Sequence, residues 1–440
     1  LLLGAQRRFE VTGEATFAAL NDHFARLVLD SRTYATGAST HNELWDPPGQ
    51  LGHTLKSGGA RFDHGETCVT HNMVRLVSKL LRASGGAVQH AEYIERALFN
   101  GVLGSQRGIE PGSMLYFFPL GNGVSKRAPQ SWRHSGWSTA HGDYWCCQGT
   151  GIEAFARLPE HIFLQSSPAD AVTAESGHLL TADTLPPKGG GGGGGGATPE
   201  LLVVQLISST LRWRRAGLHI ELRVSGVGAS HPSQPAAVEL RVMGHEDRGN
   251  GRAAIALRVP SWAEAPTATL NGGAVGERAV PGSYLRVERA WRTGDSLALS
   301  LPTRLRAEPL PDSRPMYSSM VALLHGPLVL ACVGCRATAV AADATALLSH
   351  LTPIEPGANR RLRTLRRVVA RGAAAGAVVA AGGRLWVREG ELPASPFRAL
   401  RRGGTDLSGA VTFSVSAGLA PGDNLVSFEA FLRPGCYVSA

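Results

Sequence analysis

The chain has 440 residues, of which 43% are hydrophobic, and 44 Lys and Arg against 35 Asp and Glu leave a net charge of +9. That length suits roughly two to four domains with ample core. No apolar run approaches the roughly 20 residues that span a bilayer, and six cysteines are too few for a disulfide scaffold.

The first element in chain order is a helix. Phe17, Leu20, Phe24, Leu27 and Val28 recur at helical spacing after a Thr12-Gly13 start signal. A polar loop rich in Gly, His and Pro runs from Ser31 to about Gly65 and contains His41-Asn42-Glu43-Leu44-Trp45-Asp46. Met73, Leu76, Val77, Leu80 and Leu81 form the next amphipathic helix, stopped by Ser84-Gly85-Gly86. Tyr93, Ile94, Ala97, Leu98 and Val102 line another apolar face, flanked by Glu92 and Glu95. A further helix is predicted from near Gly151 to Leu158-Pro159, so the chain reads as all-α up to residue 165.

The period then changes. Leu201 to Ile207, His219 to Val224, Ala254 to Val259 and Ser296 to Leu301 read as strands, with Asn271-Gly272 as a hairpin signal. Met320 to Leu324 and Leu328 to Ala331 continue them across a Gly326-Pro327 turn, which predicts a β-sandwich. Gly189 to Gly196 read as a flexible loop, since a phosphate cradle needs a strand before it and a helix after it. The densest basic cluster, Arg360, Arg361, Arg363, Arg366, Arg367 and Arg371, contains no aromatic residue. It reads as a solvated face, and no nucleic-acid partner is expected.

The chemistry concentrates in two stretches. Cys146 and Cys147 are adjacent, and Glu66-Thr67-Cys68 lies about 80 residues upstream. Adjacent cysteines are strained as a disulfide but can share one soft cation. Three thiolates and the Glu66 carboxylate make a set suited to tetrahedral zinc, against the alternative of buried, inert thiols. Glu66 could equally be a first-turn residue favoured by a helix dipole. Glu43 precedes Leu44 and Trp45, and apolar packing would raise its pKa toward that of a general acid. The alternative is a surface or capping glutamate. Cys332-Val333-Gly334-Cys335 matches C-x-x-C but has no βα context, and Cys436 is solitary.

Several motifs together resemble a known family. They are Thr33-Tyr34-Ala35-Thr36-Gly37, Asn42-Glu43-Leu44-Trp45, Glu66-Thr67-Cys68, the run from Tyr93 to Leu103, and Trp145-Cys146-Cys147. Pro260-Ser261-Trp262 and Leu324-His325-Gly326-Pro327-Leu328 extend the likeness through the β region. The chain is similar to the plant-type branch of the β-L-arabinofuranosidase family, glycoside hydrolase family 127. The resemblance implies an α-then-β multidomain chain: the C-terminal part of an (α/α)6 barrel, then β-sandwich domains. It implies a retaining glycosidase with a zinc-bound cysteine nucleophile. Glu43 matches the acid/base, Cys146 the nucleophile, and Glu66, Cys68, Cys146 and Cys147 the zinc ligands. Glu95 and Tyr116 fall where the family places sugar-contacting groups. The implied partner is an arabinose-containing oligosaccharide or glycoprotein, and the implied location is secreted, cell-wall or vacuolar.

The chain also departs from the family. The residues before 165 hold about half of a twelve-helix barrel, and the sugar-binding histidines of its earlier helices have no counterparts here. Val426 to Tyr437 resembles the opening of an arabinose-binding β-trefoil. The expected division is therefore a partial barrel (1–165), a β-sandwich (166–310), a second β-rich domain (311–410) and a trefoil start (411–440). The chain, which does not begin with methionine, reads as a fragment at both ends, and such a fragment is expected to be inactive. Beside the glycosidase stand a non-catalytic zinc-containing carbohydrate-binding protein of the same fold and a thiol redox protein using Cys146-Cys147. A binder has no need of Glu43, and a redox pair has no need of Glu66.

Overall fold

The computed structural model describes residues 1–56, 64–107, 113–120, 137–139, 142–143, 145–165, 198–227, 235–245, 251–318 and 320–330, and beyond these only the backbone of strands between 331 and 438. The poly-glycine run, the arginine cluster and the side chains of Cys332, Cys335 and Cys436 lie outside the described residues.

The helical region contains α1 (Leu2–Thr12), α2 (Ala15–Ser31), a short α3 (Gly52–Lys56), α4 (Thr67–Ala83) and α5 (Val88–Arg96). α5 widens into a π-helical turn (Ala97–Val102), continues as the brief α6 (Leu103–Ser105), and α7 (Cys146–Ala156) follows. Thr12-Gly13 proves to be a stop as well as a start: Gly13 closes α1 in the left-handed conformation at φ 72°, and its N–H bonds Phe9 O. α7 begins at Cys146, five residues before the Gly151 expected from periodicity, because two cysteines and two glycines dilute the apolar pattern of its first turns. The buried face of α4 (Met73, Val74, Val77, Leu81) packs with Ile94, Ala97, Leu98 and Val102 of the next helical run.

Ten strands follow: β1 (Phe163–Gln165), β2 (Glu200–Val203), β3 (Ser209–Trp213), β4 (Leu218–Ser225), β5 (Ala236–His245), β6 (Arg252–Val259), β7 (Thr267–Leu270), β8 (Gly273–Ala274), β9 (Ser283–Ala290) and β10 (Ser296–Leu301). They form a sheet ordered β1-β2-β6-β9, whose β2–β6 pair is parallel, and an antiparallel sheet ordered β3-β4-β5-β10-β7-β8. Strict alternation in β4 (Leu218, Ile220, Leu222) and β10 (Leu297, Leu299, Leu301) sends one face of each strand into the core shared by the two sheets. The Asn271-Gly272 turn joins β7 to β8 as its sequence predicts. A smaller sheet, β11 (Leu305–Pro309), β12 (Val321–His325) and β13 (Leu328–Val329), turns at Gly326 (φ 58°). Farther on, three antiparallel strands span Phe413–Ala417, Val426–Ala430 and Arg433–Val438.

β6 does not alternate; all of it after Arg252 is buried. Ala253, Ile255, Leu257 and Val259 enter the sandwich core. The opposite register, Ala254, Ala256 and Arg258, is also buried, and Arg258 bonds α5. Strands covered on both faces lose the period-two signal. No helix among the described residues is long and apolar enough to cross a membrane.

Candidate functional site

The site is built on the N-termini of two helices. Glu66 is the N-cap residue of α4 and Cys68 lies in its first turn; Trp145 caps α7, whose first two residues are Cys146 and Cys147. Helix N-termini carry unpaired N–H groups and the positive end of the peptide dipoles, so both helices favour anionic side chains here. The segment after Ser113 is tied to α6 and to the start of α4. Leu115 N–H bonds Ser105 O, Thr67 N–H bonds Tyr116 O, and Phe117 bridges Glu66.

One ligand atom from each of Glu66, Cys68, Cys146 and Cys147 lies within 4.8 Å of all the others. The thiol sulfurs are 3.2 Å (Cys68–Cys147), 3.6 Å (Cys68–Cys146) and 3.9 Å (Cys146–Cys147) apart. Four ligands around zinc at about 2.3 Å place thiolates about 3.8 Å apart, so two of these spacings already fit and the third needs a small opening. Glu66 does not use its side chain as a cap; its Oε1 accepts from Cys68 Sγ at 2.7 Å and lies 3.8 Å from Cys147 Sγ. That choice favours the ligand reading over the dipole reading.

Crowding four acids makes each resist ionisation. Burial pushes the Glu66 carboxyl up despite the Cys68 hydrogen bond. The Cys68 thiol is pushed up by its hydrogen bond to Cys147 and by burial, and Cys146 by burial and the Cys68 charge. At Cys147 the Cys68 contact pulls down, but burial and the neighbouring Cys146 and Glu66 outweigh it. A divalent cation held at the centre would favour the ionised form of all four groups. The donor set fits zinc.

Glu43 reaches the cluster by an unexpected route. His41 and Leu44 exchange both backbone hydrogen bonds, at 2.8 and 3.0 Å, around a two-residue turn. Asn42 (φ 51°) and Glu43 (φ 63°) occupy its two left-handed positions, where Asn-Gly is preferred. A glutamate there costs about 1 kcal/mol. The turn tip points Glu43 Oε1 at the Tyr116 hydroxyl, which donates to it at 2.5 Å, and the Tyr116 oxygen is 3.8 Å from Cys146 Sγ. The expected apolar wall is absent: Leu44 is 68% exposed, and Trp45 turns edge-on to Phe24 and donates its Nε1–H to Ser39.

The structure therefore gathers Glu43, Glu66, Cys68, Tyr116, Cys146 and Cys147. It does not bring Glu95 to them. Both Glu95 oxygens are taken by the β region, Oε1 by Arg258 and Oε2 by Trp262 Nε1 at 2.8 Å. A bulky buried partner in another domain leaves no local sequence signal, so the family likeness that suggested a sugar contact could not reveal it. Sequence reasoning also missed Thr40, at φ 91°, whose Oγ1 accepts the Glu66 N–H at 3.3 Å. Thr40, Asn42 and Glu43 put three positive-φ residues into four positions, a strain pattern typical of functional sites.

Comparison with known proteins identifies two domains in the chain. Residues 2–160 match the β-L-arabinofuranosidase GH127 catalytic domain, and residues 200–303 match the GH127 middle domain. Among solved structures, the chain is similar to one titled a glycoside hydrolase, at 19% identity and a TM-score of 0.54, over 76% of this chain and 50% of that one. It is also similar to a GH127 β-arabinofuranosidase, at 18% identity and a TM-score of 0.53, over 76% and 46%. A third is a GH127 β-L-arabinofuranosidase from Geobacillus stearothermophilus T6, at 19%, 0.52, 76% and 46%. The chain thus spans about half the length of these structures, and the likeness shows the fold. No curated protein sequence matches the chain.

Proposed function

We propose, from a chain that carries the GH127 catalytic and middle domains, that the protein is a retaining glycoside hydrolase releasing β-L-arabinofuranose from arabinosylated glycans or glycoproteins. The carrying observation is the contact line from Glu43 through the Tyr116 hydroxyl to Cys146, ending on the Glu66, Cys68 and Cys147 donor set. A carbohydrate-binding protein has no use for a proton donor held beside a nucleophile.

Zinc, when bound by Glu66, Cys68, Cys146 and Cys147, would keep the thiols deprotonated near neutral pH. Cys146 is the exposed member of the trio and Cys147 the buried one. Cys146 Sγ attacks the anomeric carbon as the glycosidic C–O bond breaks, and Glu43 gives its proton to the departing oxygen. The Glu43 carboxylate then takes a proton from water, which displaces sulfur and restores the thiolate. Two displacements retain the anomeric configuration, with a thiolate in place of the usual carboxylate nucleophile. Tyr116, donating to Glu43 Oε1, holds the carboxyl on its reactive side. Cys147, at the same helix N-terminus, remains a ligand.

An arabinofuranosyl mechanism-based trap followed by peptide mass mapping tests the assignment. Label is expected on Cys146 alone, arriving more slowly in Glu43→Gln. Cys147→Ser should lower metal affinity and recover in part with added zinc, whereas Cys146→Ala should bind metal and stay inactive. Label on Cys147, Glu66 or another carboxylate overturns the proposal.

A further inference from the structure

The run from α5 through the π-helical turn makes contacts on two opposite sides. Toward the β region, Glu92 accepts the Ser261 N–H at 2.7 Å, and Glu95 takes Arg258 and Trp262. Arg96 forks onto Glu308, with Nη2 to Oε2 at 2.7 Å. Asn100 donates to Pro327 O at 2.9 Å and accepts the Val329 N–H at 2.8 Å. Arg258, with no exposed surface, also donates to Val204 O at 2.5 Å. Four residues of one short helical run are thus held by polar partners more than 160 positions away.

Toward the site, the Tyr93 hydroxyl donates to Gly37 O at 3.0 Å. Gly37 (φ 81°) presses so closely on Ala97 that a Cβ would come within 2.7 Å of its Cα, and a Cβ on Gly101 would meet Thr70 and the Thr36 carbonyl. Thr36 and Gly37 lead directly into the strained Thr40–Glu43 stretch. At the far end, Ser105 of α6 anchors Leu115, the neighbour of Tyr116. A π turn is a common mark of a functional position, because the wider turn re-aims the groups around it.

We infer that Glu95, with Arg258 and Trp262, is a positioning device: the β-sandwich fixes α5 and its π turn, and these set where Glu43 and Tyr116 stand against Cys146. Resting on the glycosidase reading for its kinetic consequence, this inference assigns Glu95 to domain registration rather than to sugar binding. The middle domain then acts on catalysis without touching substrate.

Trp262→Phe removes one hydrogen bond to Glu95 and keeps a smaller aromatic ring in its place, and Glu95→Gln removes the charge; Glu95→Gln with Arg258→Met removes both members of the ion pair. Hydrogen exchange read at peptide level should quicken at least threefold over residues 36–43 and 114–117 in Trp262→Phe and tenfold in Glu95→Gln. It should stay unchanged in α1 and return toward the wild-type rate in the double variant. On an arabinofuranoside, kcat should fall about tenfold in Glu95→Gln with KM within twofold. Unchanged exchange over 36–43, or equal quickening in α1, overturns the inference. A raised KM with kcat kept does so too, by returning Glu95 to sugar contact. If the wild-type protein hydrolyses no arabinofuranoside, the functional proposal fails, and the exchange pattern still decides this one.

Discussion

Glu66 and Glu95 are both buried carboxylates in the helical region, and they end in opposite situations. Glu95 has every partner supplied by the chain: a fully buried guanidinium and an indole N–H. Glu66 is surrounded by three thiols, all of them acids, and no cationic side chain is hydrogen-bonded or ion-paired with it among the described residues. A buried charge must be paired or must draw in a cation. The first arrangement is closed and holds two domains together. The second is open to a metal, and beside it the backbone is strained.

The largest effect expected from this contrast comes from removing the open site's ligands. The wild-type protein should bind one zinc per chain, worth on the order of 10 kcal/mol on a thiolate-rich set, and the Cys68→Ser, Cys147→Ser double variant should bind none by metal analysis. Unchanged metal content in that variant would erase the distinction between the two carboxylates.

Next in size is the closed pair. Arg258→Met leaves Glu95 buried without its cation and should cost about 3–5 kcal/mol in denaturant unfolding. Added zinc should not restore it. A loss below about 1 kcal/mol would show that water reaches Glu95 after all.

A third difference is in acid. His161 is buried where α4 meets the chain after α7, with Ser78 Oγ 2.8 Å from its Nδ1, and burial lowers its pKa to about 4. A depressed histidine is neutral when folded and protonates more readily when unfolded. Its contribution is therefore present above about pH 6.5 and is lost as pH falls toward 4, by at most about 3 kcal/mol. Unfolding curves of His161→Gln should show a shallower decline over that window, and an identical decline would remove His161 from the account.

The smallest effect lies at the strained turn. Glu43→Gly and Glu43→Ala both lose the carboxylate, but only glycine accepts the left-handed backbone without cost. Glu43→Gly should be the more stable of the two by about 1 kcal/mol, and equal stabilities would mean that the turn relaxes when Tyr116 is released.

The sequence by itself was enough for much that rests on local pattern. Period 3.6 marked α4 and period two marked β4 and β10, Asn271-Gly272 announced its hairpin, and the rarity of cysteine singled out Cys68, Cys146 and Cys147 as a set with Glu66. Family motifs then pointed to Glu43 and Tyr116 before any geometry was available. Tertiary structure alone decided how these residues meet. The α7 start at Cys146 puts a helix N-terminus under the thiols, and the left-handed turn swings Glu43 onto Tyr116. The buried second face of β6 takes Glu95 away from the site. Each of these outcomes depends on partners tens to hundreds of positions away along the chain. Periodicity reports which face of an element is buried but not what covers it, so the partner of a buried charge is fixed only when the domains pack.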